Sequence, residues 1–168
     1  VFGLAACATE ETPVETPVDT PVETPAMDWN IVMLTDVGTI TDKSFNQGTW
    51  EGVKEFAEDN DIDHMYFRPN AGTQAAYEEA IDLVVANGAN VIVTPGFLFE
   101  TAIYTAQTKY PDVYFILIDG VPHAGDYATY ETKSNTVNIL FQEEQSGFLA
   151  VYAAVAEGYT NLGFMGGM

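Results

Sequence analysis

A chain of 168 residues is the size of one folded domain built round one hydrophobic core. Its 5 lysines and arginines stand against 25 aspartates and glutamates, a formal charge of -20. Such a surface repels phosphate backbones and anionic headgroups, and the scattered Lys43, Lys54, Arg68, Lys109 and Lys133 form no cationic patch, which excludes nucleic acid as a partner. The single cysteine excludes an internal disulfide and a CxxC redox pair.

The chain opens Val1-Phe2-Gly3-Leu4-Ala5-Ala6-Cys7, an apolar run closing on two small residues directly before the thiol. Residues 1–7 resemble the tail of a bacterial lipoprotein signal peptide, in which cleavage before Cys7 is followed by acylation of its side chain. So short a run does not cross a bilayer, which takes about twenty apolar residues. Residues 8–28 carry the repeat Thr12-Pro13-Val14-Glu15, Thr16-Pro17-Val18-Asp19, Thr20-Pro21-Val22-Glu23. Proline at every fourth position removes amide donors and biases its neighbours toward extended backbone, so this segment reads as a disordered, semi-rigid tether.

Beyond Met27 the texture changes to that of a folded lobe, expected over 29–160. Asn30–Thr35 is a short apolar run ending in polar Asp36, the length of a buried strand. Similar runs follow at 62–67, 90–94, 113–118, 136–141 and 162–165. Between them, Asp42 can cap a helix from Lys43 to about Glu58 that carries Asn46, Trp50, Val53 and Ala57 on one face. Thr73 can cap the next, with a stripe of Tyr77, Ala80, Ile81, Val84 and Val85 stopped by Asn87-Gly88. Ala102, Ile103 and Ala106 mark a third helix ending at Tyr110-Pro111. Phe148, Val151, Tyr152 and Val155 mark a fourth that stops at Gly158. Apolar strands alternating with amphipathic helices predict an α/β fold of three layers: an open, mostly parallel sheet with helices on both faces.

In open parallel sheets ligands sit beyond the carboxyl ends of the strands. The residues expected there are Asp36, Asn70, Pro95-Gly96-Phe97, Asp119-Gly120 and Gln142. Asp36 and Asp119 are candidate anchors for a polar ligand; their alternative duty is to cap neighbouring turns and helices. At the start of the first helix, Ser44, Phe45 and Asn46 bring free amides, a flat apolar ring and a side-chain amide to the same rim. An aromatic there either stacks on a planar heterocycle or plugs the core. The loop lacks GxxxxGK[ST] and GxGxxG, and acidic Asp36 and Asp42 oppose a phosphate.

The stretch GTITDKSFNQGTWEG within Asp36–Gly52, the Asn87–Ile92 strand entry, Pro95-Gly96-Phe97, Phe115–Gly120 and Asn138–Phe141 running into Glu144 and Gly147–Ala150 resemble the basic membrane lipoprotein family, the purine-nucleoside receptor type of substrate-binding protein that serves ABC importers. The resemblance implies a periplasmic-binding-protein type I lobe, one of two that clamp a nucleoside. Phe45 is then the stacking aromatic, Asn46 and Asp36 bond the ligand's polar edge, Asp119 takes the sugar hydroxyls, and Ser44 and Gly96 complete the wall. Relatives often carry two consecutive acids before the position of Lys43, where this chain has Thr41-Asp42. Residues 161–168, with Leu162–Gly167, resemble the entry to the second lobe.

The implied setting is the extracytoplasmic face of the cell membrane, with a lipid anchor at Cys7 and an ABC permease and ATPase as partners. No cofactor, catalytic residue or metal site is expected. HExxH, GxSxG and EF-hand patterns are missing, and His64 and His123 have no paired ligand spacing. The rival readings are a sensory lipoprotein of the same fold, an α/β hydrolase or transferase, and a plain structural surface protein.

Overall fold

The computed structural model describes residues 28–166. Cys7 and the tether up to residue 27 lie outside the described residues. Five strands form one sheet: β1 (Asn30–Leu34), β2 (Asp63–Phe67), β3 (Val91–Pro95), β4 (Tyr114–Ile118) and β5 (Thr136–Ile139). Every pairing is parallel, and the order is β2-β1-β3-β4-β5. The helices are α1 (Phe45–Asp59), α2 (Gln74–Ala86), α3 (Glu100–Lys109), preceded by a 3-10 turn at Phe97–Phe99, and α4 (Glu143–Ala156).

The strand order reverses direction after β2, so right-handed crossovers put α1 on one face and α2 with α3 on the other. Alternate residues of β1 serve the two layers. Val32 and Leu34 join Tyr77, Ile81, Ile92, Ile103, Phe115 and Leu117 beneath α2 and α3. Ile31 and Met33 join Val53, Ala57 and Val93 beneath α1. A fully buried side chain of this kind stabilises by about 1.5–3 kcal/mol, so the larger layer carries most of the apolar stabilisation.

Local signals act where the spacing places them. The Thr73 hydroxyl accepts the Ala76 N–H at 3.3 Å as the cap of α2, and Gly88 at φ 93° ends that helix. Helix α1 begins two residues after the expected Lys43, because Lys43 lies at a left-handed φ of 57°. Asp42 nevertheless supplies the side-chain oxygens for its free amides.

Two expectations fail. The run Leu162–Met165, read as a strand, is not one: it follows α4 without regular structure, pairs with no strand among the described residues, and leaves Phe164 and Met165 exposed. A single strand has no partner for its backbone groups. Helix α4 forms and ends near Gly158 as expected, but buries none of its residues. Phe148, Val151, Tyr152 and Val155 recur at three- and four-residue spacing along one side of it, with Leu149 beside them, and that stripe is more than half exposed.

The α1 face is consequently covered only in part. Val137 and Ile139 stand in register beside Ile116 and Ile118 and are 58% and 44% exposed. An apolar groove of about 590 Å³ runs along α1 between Ile31, Val53, Phe56, Val91, Ile116 and Ile118. Among the described residues, no helix is long and apolar enough to cross a membrane.

Candidate ligand-binding site at the carboxyl ends of the strands

Past the end of β1 the chain folds into a closed polar clasp. The Asp36 Oδ1 accepts the Gly38 N–H and, at 2.8 Å, the Asn46 Nδ2 group. The Asp36 N–H donates to Asn46 Oδ1 at 3.2 Å, and Asn46 Nδ2 donates a second time to Asp42 Oδ2 at 2.8 Å. Asn46 is 3% exposed, so its amide joins two carboxylates from inside the loop. A β-carbon at Gly38 would stand 2.6 Å from Asn46 Nδ2 and 2.7 Å from Asp36 Oδ1, so any larger residue would have to displace the amide and the carboxylate of the clasp.

Burial pushes the Asp42 carboxyl up, but the N–H groups of Ser44, Gln47 and Asn46 and the Asn46 side chain outweigh it and hold Asp42 below the ordinary aspartate value. A depressed carboxyl stabilises the fold above its unfolded pKa, and that contribution is lost as pH falls through the folded value. The start of α1 is therefore expected to loosen below about pH 4. Urea unfolding between pH 3 and 7 checks this: Asp42→Asn should lower stability at neutral pH and flatten the acid limb, and an unaltered acid limb would remove Asp42 as its source. Asp126, held at about 2 by Thr129 and Ala128 in the loop after β4, titrates below that window.

Phe45, the first residue of α1, leaves its ring 43% exposed at the rim. Its centroid lies 6.1 Å from that of Phe141, just beyond β5, and the planes are tilted by 40°. The two rings border a hollow of about 460 Å³ whose other walls are Ser44, Gly48, Thr49 and Ile118. Ser44 makes no side-chain cap bond. Phe45 is thus no core plug.

Asp119 follows Ile118 directly, half-buried at φ 62°, its N–H donating to Ile139 O at 2.7 Å. A left-handed aspartate costs on the order of 1 kcal/mol, which the packing around it must offset. Strands β1 and β4 flank β3, so at the usual strand spacing Asp36 and Asp119 stand on the order of 10 Å apart along one edge, the span of a small heterocycle with a polar appendage. Gly96 lies on that edge too, but its N–H donates to Ile118 O and its carbonyl accepts the Phe99 N–H, so both backbone groups serve the fold.

The sequence reading therefore brought Asp36, Ser44, Phe45, Asn46, Gly96 and Asp119 to one edge, with Asn46 turned inward. It missed Phe141 and Thr49 as walls of the hollow. The signal for Phe141 was its place two residues beyond the last strand, one residue short of the Gln142 that was singled out.

Beneath the rim the Tyr77 hydroxyl is buried without a protein partner, and burial, then the nearby charge of Asp36, raises its pKa. His64 is spent on the Ile62 carbonyl and on a contact with the Trp50 ring. Among the described residues no cluster of three histidine, cysteine or acidic side chains is placed to hold a metal.

The model of the family described as "ABC transporter substrate-binding protein PnrA-like" matches residues 30–168. The ABC transporter nucleoside-binding protein BmpA of Lactococcus lactis is 27% identical over 146 residues, covering 84% of this chain and 39% of that protein. Basic membrane protein B of Borreliella burgdorferi is 29% identical over 141 residues, covering 82% and 40%. The CD4+ T-cell-stimulating antigen of Listeria monocytogenes is 27% identical over 145 residues, covering 84% and 38%. This chain thus spans 38% to 40% of the length of these relatives. Among solved structures, an ABC transporter solute-binding protein from Aeropyrum pernix superposes with a TM-score of 0.61 at 26% identity, covering 78% of this chain and 35% of the other. One from Conexibacter woesei gives 0.55 at 20% identity, covering 74% and 39%, a likeness of fold. With an unbroken match from β1 onward and an open parallel sheet of this order, the chain belongs to the family of PnrA-like ABC transporter substrate-binding proteins.

Proposed function

We propose that this chain supplies the N-terminal wall of a two-lobed receptor that captures a purine nucleoside outside the cell and delivers it to an ABC permease and ATPase. The observation that carries the reading is the exposed Phe45 ring at the same strand edge as the carboxylates of Asp36 and Asp119. A flat apolar ring suits a base, and a carboxylate one strand-pair away suits sugar hydroxyls, which donate to it. Asn46 contributes by holding Asp36 in place. Ser44 and Thr49 offer hydroxyls at the edge of the hollow. The nucleoside-binding protein of Lactococcus lactis lends the ligand class its support.

One wall leaves a ligand open to water, and a facing lobe would bury its other side by rigid-body closure. Acylation at Cys7 and the proline-rich tether would keep the receptor at the membrane surface.

Calorimetric titration of the two-lobed polypeptide with adenosine, guanosine, inosine, free ribose and an unrelated amino acid tests the reading. Saturable heat is expected for at least one nucleoside and none for the amino acid. Silence with every nucleoside would sink it.

A further inference from the structure

The loop that follows Asp119 is gripped from one place. Glu100, in the first turn of α3, accepts the Val121 N–H through Oε1 at 2.8 Å and faces His123 Nε2 through Oε2 at 3.2 Å. The Gly125 N–H donates to His123 Nδ1 at 2.9 Å. Nδ1 is therefore the acceptor of the ring, and Nε2 carries the proton that it gives to Glu100. The imidazole is buried, with the rings of Tyr127 and Tyr130 at 4.7 Å and 5.3 Å between centroids. Gly120 completes the grip: a β-carbon there would stand 2.9 Å from Glu100 Cγ, so the chain passes directly over the glutamate stem.

One carboxylate thus fixes the backbone immediately after Asp119, while the Asp119 N–H is fixed on its other side by Ile139. Asp119 itself sits in a left-handed conformation that its neighbours must impose. Glu100 lies outside the walls of the rim hollow, so it acts through the loop and not on a ligand. We propose that Glu100, through Gly120, Val121 and the His123 ring, is the positioning residue that aims the Asp119 carboxylate at the sugar of the bound nucleoside. The inference rests on the nucleoside reading above and deepens it, since it ties recognition of the ribose hydroxyls to a side chain in the second helical layer.

Two variants probe it in the two-lobed polypeptide. Glu100→Gln keeps an acceptor for Val121 but turns an amide donor toward the His123 N–H, and Gly120→Ala pushes the loop off the glutamate without removing a charge. Each is titrated with guanosine and with its 2′,3′-dideoxy analogue, which lacks the hydroxyls assigned to Asp119. Both variants should bind guanosine about tenfold or more weakly, the scale of one misaligned charged hydrogen bond, and bind the dideoxy analogue as wild type does. Unchanged affinity for the analogue also shows that the variant is folded.

An equal loss for both ligands would overturn the inference by making Glu100 a general support of the fold. Undiminished preference for guanosine in both variants would overturn it while leaving the nucleoside reading intact. Wild-type protein that binds the two ligands equally would remove the sugar role of Asp119, and the positioning role with it.

Discussion

Replacing Phe45 with alanine in the two-lobed polypeptide should weaken nucleoside binding by about 1–3 kcal/mol, roughly tenfold to a hundredfold, as loss of an aromatic platform does for a stacked base. The expectation follows from where the ring is held. Phe45 begins α1 with its ring 43% exposed, tilted beside Phe141 and outside both core layers, so its removal opens no cavity in the packed interior. Stability of the unliganded protein should accordingly change by no more than about 1 kcal/mol, a surface-scale effect. Calorimetry with the preferred nucleoside, beside a urea titration, separates the two quantities. An unchanged dissociation constant would remove Phe45 from the site, and a large stability loss would return it to the core.

Asn46→Asp should have the largest effect on the fold of any isosteric change at the rim. The native amide donates to Asp36 and to Asp42, and no other side chain links these two carboxylates. Exchanging NH₂ for oxygen deletes two charged hydrogen bonds, each contributing about 1.5–3 kcal/mol, and places a third negative group between two others. A loss of about 3 kcal/mol or more at pH 7 is expected, a large part of the usual stability of a domain this size. The penalty should shrink on acidification, because protonating the introduced carboxyl restores one donor. Urea unfolding at pH 7 and pH 4.5 measures both; a difference from wild type that stays constant between them would mean that the clasp is not what the substitution breaks.

Much of the architecture was legible in the residues, because its causes are local. Short apolar runs separated by caps and stops set the lengths of the strands and helices that form between Asn30 and Ala156. Thr73, Asn87-Gly88 and Asp42 act within a few residues of where they stand, and the stripe Tyr77–Val84 faces the core on helical periodicity alone. The ends of the strands were legible for the same reason, and with them the edge that holds Asp36, Phe45 and Asp119.

Three features were decided by contacts between residues far apart in the chain. Asn46 was read as facing a ligand; its amide instead closes the clasp on Asp36, ten positions earlier, a choice between partners that spacing leaves open. Leu162–Met165 has the composition of a strand and no neighbour to pair with among the described residues, and a strand exists only by its ladder. His123 and Glu100, set apart in sequence, meet because β4 delivers its loop over the start of α3. Composition and periodicity determine which elements form and which of their faces are apolar, through short-range sterics and hydrogen bonds. Which polar groups satisfy one another, and which remain at the rim for a ligand, depends on distances that exist only once the sheet has assembled.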